Sequence, residues 1–476
     1  MPELAFRPNS PSSAFASKWW TLFCVGFGAF MGPLDMSIVN ATLPVMARDF
    51  RAEVLVIEWV VLAYLLTLSS LLLVGGWLGD RFGHRRLYVA GFALFTLSSW
   101  LCAQAGQVGM LIAARVLQGV GGAMMIAIGP AILIRAFPPT QRGQALGFQA
   151  SIVYIGLAVG PGLGGIIATH LGWRWVFFLN LPIGVLAIAA ALVVLAPDGR
   201  GLERGFDVAG AAGFVLALFS GVLAITEGAA SGWQHPLVPI ATLCALLIGT
   251  GFIVWEARVP SPFLELGLFR NRLFSAATIS AVCNYMSSST VAFLTPFFLI
   301  RGNHLAPDRA GALLMGMPLV MALTAPMSGW VSDRIGSRLP TVAGMSTMAA
   351  GMWLLGGLGR APSGRQVVLC LAVIGLGVGL FTSPNNSAIM GSVPRDRQGL
   401  ASGLVATART LGNVLGVTCA AALFGAGIQR LLPQVGQDAI AVVQAYGHAL
   451  RIMAGVAMTG AVASLVRGPR DGVSRC

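Results

Sequence analysis

Apolar runs of about 20 residues, the length that crosses a bilayer as helix, recur along this chain from residue 19 to residue 466. Short polar connections separate them. Hydrophobic residues make up 56% of the 476 positions and charged residues 10%, against about 25% charged in a soluble globular protein. A soluble fold of this length cannot hide so much apolar surface. In lipid every backbone polar group must be satisfied internally, which leaves helices or a closed barrel. Barrel strands alternate apolar and polar residues over about ten positions, and these runs do not. The fold class expected is therefore an all-α membrane protein.

Fourteen spans are expected: 19–41, 57–78, 87–105, 109–134, 144–168, 174–195, 207–227, 236–255, 273–300, 310–331, 339–358, 366–391, 402–425 and 447–466. The longest connections, 256–272 and 426–446, are the places for amphipathic surface segments. The first run carries Asp35 and no A-x-A site follows it, so it reads as a retained helix and not a cleaved signal. With the N-terminus inside, nineteen Lys or Arg fall in the cytoplasmic connections and ends and eight on the opposite side. That bias puts both ends in the cytoplasm and requires an even number of spans.

The net charge of +13 would suggest nucleic acid in a soluble chain. Here the basic residues lie between apolar runs and set topology, so no nucleic acid is expected. Seven cysteines are scattered without a C-x-x-C, which argues against a disulfide framework or a metal site. Five histidines lie at run edges or in connections, which argues against paired haem ligands. The one lysine, Lys18, sits between Ser17 and Trp19, so no P-loop exists. No G-x-S-x-G elbow or H-E-x-x-H is present. An enzyme is not expected, nor a cofactor, and uphill work must draw on an ion gradient or a partner ATPase.

An internal repeat divides the chain. Gly76-Trp-Leu-Gly-Asp80-Arg81-Phe-Gly83-His-Arg85 returns as Gly329-Trp-Val-Ser-Asp333-Arg334-Ile-Gly336-Ser-Arg338, 253 residues on. Pro139-x-x-Arg142 returns at Pro394 and Gly156-x-x-x-Gly160 at Gly412. The division expected is 1–18 as a cytoplasmic segment and 19–195 as a six-helix bundle. Residues 196–272 hold two inserted helices with flanking loops, 273–466 a second six-helix bundle, and 467–476 a cytoplasmic tail. Twinned halves around a central site are a transporter architecture.

These motifs, in order, resemble the major facilitator superfamily and within it the fourteen-helix drug:proton antiporter family. Leu34-Asp35-x-x-Ile38-Val39-Asn40-x-x-Leu43-Pro44 resembles the family's first-helix motif, and Trp59-Val-Val-Leu-Ala63-Tyr64-x-Leu66 its second helix. Gly76 to Arg86 is similar to the loop between helices 2 and 3. Arg115-x-x-Gln118-Gly119-x-Gly121 is similar to helix 4. Gly156-x-x-x-Gly160-Pro161-x-x-Gly164-Gly165 matches the helix 5 pattern associated with antiporters. Trp173-Arg-Trp175 through Pro182 and Phe269-Arg-Asn-Arg-x-Phe274 add to the likeness. The resemblance implies a major facilitator fold with two inserted helices. It implies a proton-coupled exporter of small lipophilic or cationic compounds in a bacterial inner membrane, of the multidrug efflux type that confers antibiotic resistance. The alternative is a carrier of one metabolite, lipid or sugar. Its partners would be the bilayer, a small-molecule substrate, protons and accessory export proteins.

Candidate residues follow. Asp35, just after Gly32-Pro33, is an acid at mid-membrane, which costs about 2.5–3.5 kcal/mol on insertion scales. Lipid disfavours the charged form of a carboxyl, so Asp35 is the first candidate to take up and release a proton and to compete for a cationic substrate. Alternatively it is a fixed hydrogen-bonded Asp that ties helix 1 to a neighbour. Glu58, at the start of helix 2, is either a second acidic site near the outer mouth or an exposed charge at a helix start. Arg115 needs an acceptor and has Gln118 one turn on; the resemblance implies a part in proton transfer. Asp80, Arg81, Gly83 and Arg85, with Asp333 and Arg334 in the repeat, are expected to form a charged latch at the cytoplasmic face. Gly156, Gly160, Pro161, Gly164 and Gly165 allow close helix approach and a bend, and Arg409 poses the question of Arg115 again. Tyr64, Gln118, Asn180, Asn284, Met286, Phe293 and Asn386 are the candidates for the substrate lining.

Overall fold

The computed structural model describes residues 11–138, 141–197, 207–259, 262, 266–392 and 398–466, with a minority of side chains inside these ranges outside the description. Among the described residues the chain is helical throughout, with no strand. The first half comprises α1 (Pro11–Phe50), α2 (Val54–Ile57), α3 (Trp59–Phe82), α4 (His84–Ala103), α5 (Val108–Ala136), α6 (Arg142–His170), α7 (Trp175–Phe178) and α8 (Asn180–Val194). Then come α9 (Val208–Ser231) and α10 (Leu237–Glu256). The second half comprises α11 (Arg272–Phe297), α12 (Pro307–Leu314), α13 (Gly316–Ile335), α14 (Arg338–Gly356), α15 (Gly364–Gly391), α16 (Gln398–Val435) and α17 (Asp438–Leu465).

All fourteen expected segments are helical. Among the described residues, twelve helices are long and apolar enough to cross a membrane by length and composition. The segments of α11 and α14 fall short of that apolarity. For α11 the reason is local: Ser280, Asn284, Ser287, Ser289, Thr290 and Thr295 are buried polar residues facing protein. Ser280 Oγ donates to Gly460 O at 3.1 Å and Thr295 shares a 3.0 Å bond with Tyr446. A helix whose polar groups are met by its neighbours does not need a uniformly apolar surface.

Two boundaries differ from expectation. The region 426–446 is no surface segment: α16 runs to Val435 and α17 begins at Asp438. Two residues break the helix: Gly436, at φ 66°, an angle glycine adopts without strain, and Gln437, which is extended. α1 continues nine residues beyond its expected end, through Pro33 and Pro44 to Phe50. In the connection 256–272 the described part holds a single 3₁₀ turn, Leu266–Arg270.

Packing follows the repeat. α1 lies along α6 and also touches α5 and α8; α11 lies along α16 and touches α17. The two lie on their partners in the same way. Ser37 Oγ donates to Gly156 O at 3.3 Å, and Thr290 Oγ1 donates to Gly416 O at 3.2 Å. α9 and α10 pair with each other, and α9 rests on α16 and α3. The halves touch through α6 with α12 and α13, α1 with α11, and α3 with α16. The face on which α1 ends and α12 begins is called distal below, and the opposite one proximal.

Candidate functional site

Asp35 sits on α1 with 2% of its surface exposed. Its Oδ2 accepts from Arg115 Nη1 at 2.5 Å. Its Oδ1 accepts from Gln118 Nε2 at 3.0 Å and from Asn180 Nδ2 at 2.8 Å. Arg115 is fully buried on α5. It donates from Nε to Val60 O at 2.9 Å and from Nη1 to Gln118 Oε1 at 2.5 Å, while its Nη2 has no partner among the described residues. The guanidinium carbon lies 4.3 Å from the centre of the Tyr64 ring. A desolvated cation over an aromatic face gains about 2 kcal/mol. Three helices, α1, α5 and α8, thus meet on one carboxylate, and α3 holds its arginine through Tyr64 and the Val60 carbonyl.

Sequence reasoning selected Asp35, Tyr64, Arg115, Gln118 and Asn180 one at a time. The structure joins them in one closed cluster and does not spread Tyr64, Gln118 and Asn180 over an open cavity wall. Two members were missed. Ser99 Oγ on α4 accepts from Gln118 Nε2 at 2.8 Å and from Asn180 Nδ2 at 3.3 Å, and Cys102 Sγ approaches Gln118 Oε1 at 3.8 Å. Their signal was the three-residue spacing that puts both on one helix face.

Glu58 is a buried group, not an exposed helix-start charge: no part of its surface is open. It stands between α2 and α3. Its Oε1 accepts from Thr226 Oγ1 of the inserted helix α9 at 3.1 Å, and Oε2 has no partner among the described residues. Cys419 of α16 lies within electrostatic reach. One carboxyl therefore stands where the first half, the inserted helix and the second half come together.

The helix 5 glycines, on α6, meet backbone on both sides. Gly156 and Gly164 lie against the Phe30 and Ile38 carbonyls of α1, and Gly160 against Ser37. Gly165 faces the Pro307 carbonyl of α12, and Gly311 of α12 faces the Pro161 carbonyl. A Cβ at either of those last two would collide with main chain. α6 and α12 thus press backbone to backbone and close the distal side between the halves. α6 is continuous through Pro161.

At the proximal face the chain turns from α3 to α4 on Gly83, at φ 105°, and the repeat turns on Gly336, at φ 84°. Side chains other than glycine resist these angles. The side chains of Asp80 and Asp333, expected to latch this face, lie outside the described residues. Arg81 is placed 5.2 Å over the Trp77 ring and Arg334 3.5 Å over Trp330, the same four-residue pairing in both halves. Arg85 Nη2 donates to Leu192 O at 2.5 Å.

Among the remaining lining candidates, Asn284 is buried, with Nδ2 3.4 Å from Met345 Sδ and 3.7 Å from Met348 Sδ and with Oδ1 unpartnered. Phe293 is buried beside Phe297, ring centres 5.6 Å apart. Met286 and Asn386 are half-buried and Arg409 is exposed. On the distal face a cavity of about 530 Å³ is lined by Arg48, Arg51, Leu55, Phe297, Arg301 and His304, among others. No cluster of three or more His, Cys, Asp or Glu able to hold a metal occurs among the described residues.

Repeated helical halves with a buried charge cluster inside the first define a multi-pass membrane transporter. The chain belongs to the Major Facilitator Superfamily, whose profile matches residues 25–272 and 277–472. That family transports and does not catalyse. The chain is 35% identical to "Riboflavin transporter RibZ" of Clostridioides difficile (strain 630), over 90% of this chain and 94% of that one. It is 32% identical to "Tetracenomycin C resistance and export protein" of Streptomyces glaucescens, over 90% and 80%. It is 34% identical to "Putative multidrug resistance protein MdtD" of Cronobacter sakazakii (strain ATCC BAA-894), over 86% of each. The drug-resistance names among these relatives fit the resemblance that the motifs carry. Among solved structures, an auto-inhibited peptide transporter of the POT family superposes with a TM-score of 0.69 over 96% of this chain and 99% of that one, at 16% identity. That likeness shows the fold alone.

Proposed function

We propose that this protein is a proton-driven exporter of small lipophilic compounds, working by alternating access between its two halves. The observation that carries this reading is the Asp35–Arg115 pair. A proton arriving on Asp35 removes the charge that holds Arg115. The guanidinium, which already has one unpartnered nitrogen, is then free to turn toward other acceptors. α1 and α5 lose the bond that ties them, and the first half can tilt. Loss of the proton restores the pair and the starting arrangement. Protein interiors switch between discrete packings and do not deform continuously, so one proton can be answered by one rocking step.

The energy source proposed is an ion gradient, with no bound cofactor. The location proposed is a bacterial inner membrane with both termini in the cytoplasm, on the excess of basic residues in the proximal connections. The distal face is then outside and the seam between α6 and α12 is the outer gate. Partner proteins that extend export beyond that membrane are compatible with this placement. The drug-export relatives support efflux. The riboflavin-transporting relative supports a second reading, a carrier dedicated to one metabolite. Flux in proteoliposomes under an imposed pH gradient tests the proposal. Uphill movement that requires the gradient sustains it, and uphill movement unaffected by collapsing the gradient refutes it.

A further inference from the structure

Export leaves the charge of the cargo open, and the structure bears on it at three places. The first is Asp35. A cationic cargo was expected because a mid-membrane carboxylate could attract it. Both oxygens of Asp35 are occupied by Arg115, Gln118 and Asn180, and the fully buried guanidinium already answers the charge.

The second is Arg409. It lies eleven residues into α16, about 16 Å along the helix axis. Its side chain is exposed, and no hydrogen bond or ion pair to another described residue reaches it. Gly412, one turn on in α16, lies against the Cβ of Tyr285 on α11, and Arg409 is within electrostatic reach of that phenol and of Tyr154 on α6. One tyrosine belongs to each half, so the space into which Arg409 opens lies between the halves and not in lipid. Tyr154 precedes Pro161 by seven residues, about 10 Å, so this space is proximal to the α6–α12 seam. Arginines within spanning helices are normally paired, and those left open face a water-filled path that carries ions or substrate.

The third is the distal cavity. Arg48, Arg51 and Arg301 converge on its 530 Å³ beside the apolar Leu55 and Phe297. Asp438 answers Arg301 at 2.7 Å. Arg48 and Arg51 have no side-chain bond to another described residue, and Glu53 is the other acid in the lining. Topology rules deplete arginine from this face, yet three gather on one cavity.

We infer that the cargo is an organic anion on an aromatic or apolar body, its carboxylate, sulfonate or ionised phenol met by Arg409 between Tyr154 and Tyr285 and released past Arg48 and Arg51. This deepens the export reading and takes from it only the direction of travel. The guanidinium supplies a forked donor for the anion, and the two phenols offer further hydrogen-bond donors and flat apolar faces.

The test is equilibrium binding to the full-length protein in nanodiscs of zwitterionic lipid, with empty nanodiscs subtracted. Fluorescein and 8-anilinonaphthalene-1-sulfonate serve as anionic probes, ethidium and rhodamine 6G as cationic ones. The anions are expected to bind and to displace each other, with the cations failing to compete. Arg409→Gln weakens the anions at least about tenfold, the loss of one charge-assisted contact, and Arg409→Lys recovers part of that. Since Arg409 is exposed, both variants keep the fold, checked by their melting curves. Binding of the cations in preference to the anions overturns the inference, as does an Arg409→Gln variant that holds the anions like the parent. No gradient enters this measurement. It reads the charge of the cargo whether or not export proves to be proton-driven, which the flux assay decides separately.

Discussion

Arg115 Nη1 lies 2.5 Å from Asp35 Oδ2, and neither side chain reaches solvent. Breaking a buried pair by removing one partner strands the other charge and costs about 3–5 kcal/mol. Removing both leaves no bare charge. Arg115→Gln alone is therefore expected to lower the melting temperature of the purified protein more than the double change Asp35→Asn with Arg115→Gln. If the double variant melts lower than the single one, the pair is not the dominant interaction of the cluster.

Transport should respond differently to the same pair. Asp35→Asn keeps the size and most hydrogen bonds of the side chain but can no longer exchange a proton. Gradient-driven uphill flux is expected to fall by at least about a hundredfold, as when a transfer step loses its acid–base group. Downhill movement persists. Proteoliposome flux with and without a pH gradient reads both, and undiminished uphill flux in this variant would remove Asp35 from the mechanism.

Glu58 holds one partnered and one bare oxygen in a closed pocket. Replacing it by Gln keeps the acceptor for Thr226 and removes any buried charge, so stability is expected to be unchanged or higher. Thr226→Val strips the one described partner and should cost about 1–3 kcal/mol, the penalty for an unsatisfied buried polar group. Melting curves of the two variants against the parent decide this. A Glu58→Gln variant less stable than Thr226→Val contradicts the geometry.

The α6–α12 seam has no room for a side chain at Gly311. Gly311→Ala is expected to part the distal ends of the halves. Spin labels on cysteines replacing His170 and Ala312, both exposed, should show a longer distance in the variant by electron–electron resonance. An unchanged distance distribution would mean that the seam does not set the closed state.

Much of the helical layout was legible because lipid imposes one length on every span. The region 426–446 was misread for a physical reason. Gln429, Arg430, Gln434, Gln437 and Asp438 look like a connection by polarity, but the helix breaks there only at Gly436 and Gln437. Polarity marks the edge of the membrane, not the end of a helix. The cluster was legible in parts and not as a whole. Asp35 is separated from Arg115 by 80 residues and from Asn180 by 145, and nothing local in a sequence shows which buried groups will face each other. The 168-residue bond between Glu58 and Thr226 was invisible for the same reason. Arg409 stands out in the sequence as a cation in a helix, but its exposure and its neighbours on two other helices exist only in the fold.

Gly165 against the Pro307 carbonyl and Gly311 against the Pro161 carbonyl make a closure of bare main chain. Little crosses it besides main chain: the Met315 side chain lies against Gly162, and the Asp308 N–H donates to Thr169 Oγ1 at 3.2 Å. Such a contact excludes water well while shut, yet a small rigid tilt undoes it all at once. A door built this way shuts tightly without sticking, which suits a device that must cycle many times without unfolding any of its parts.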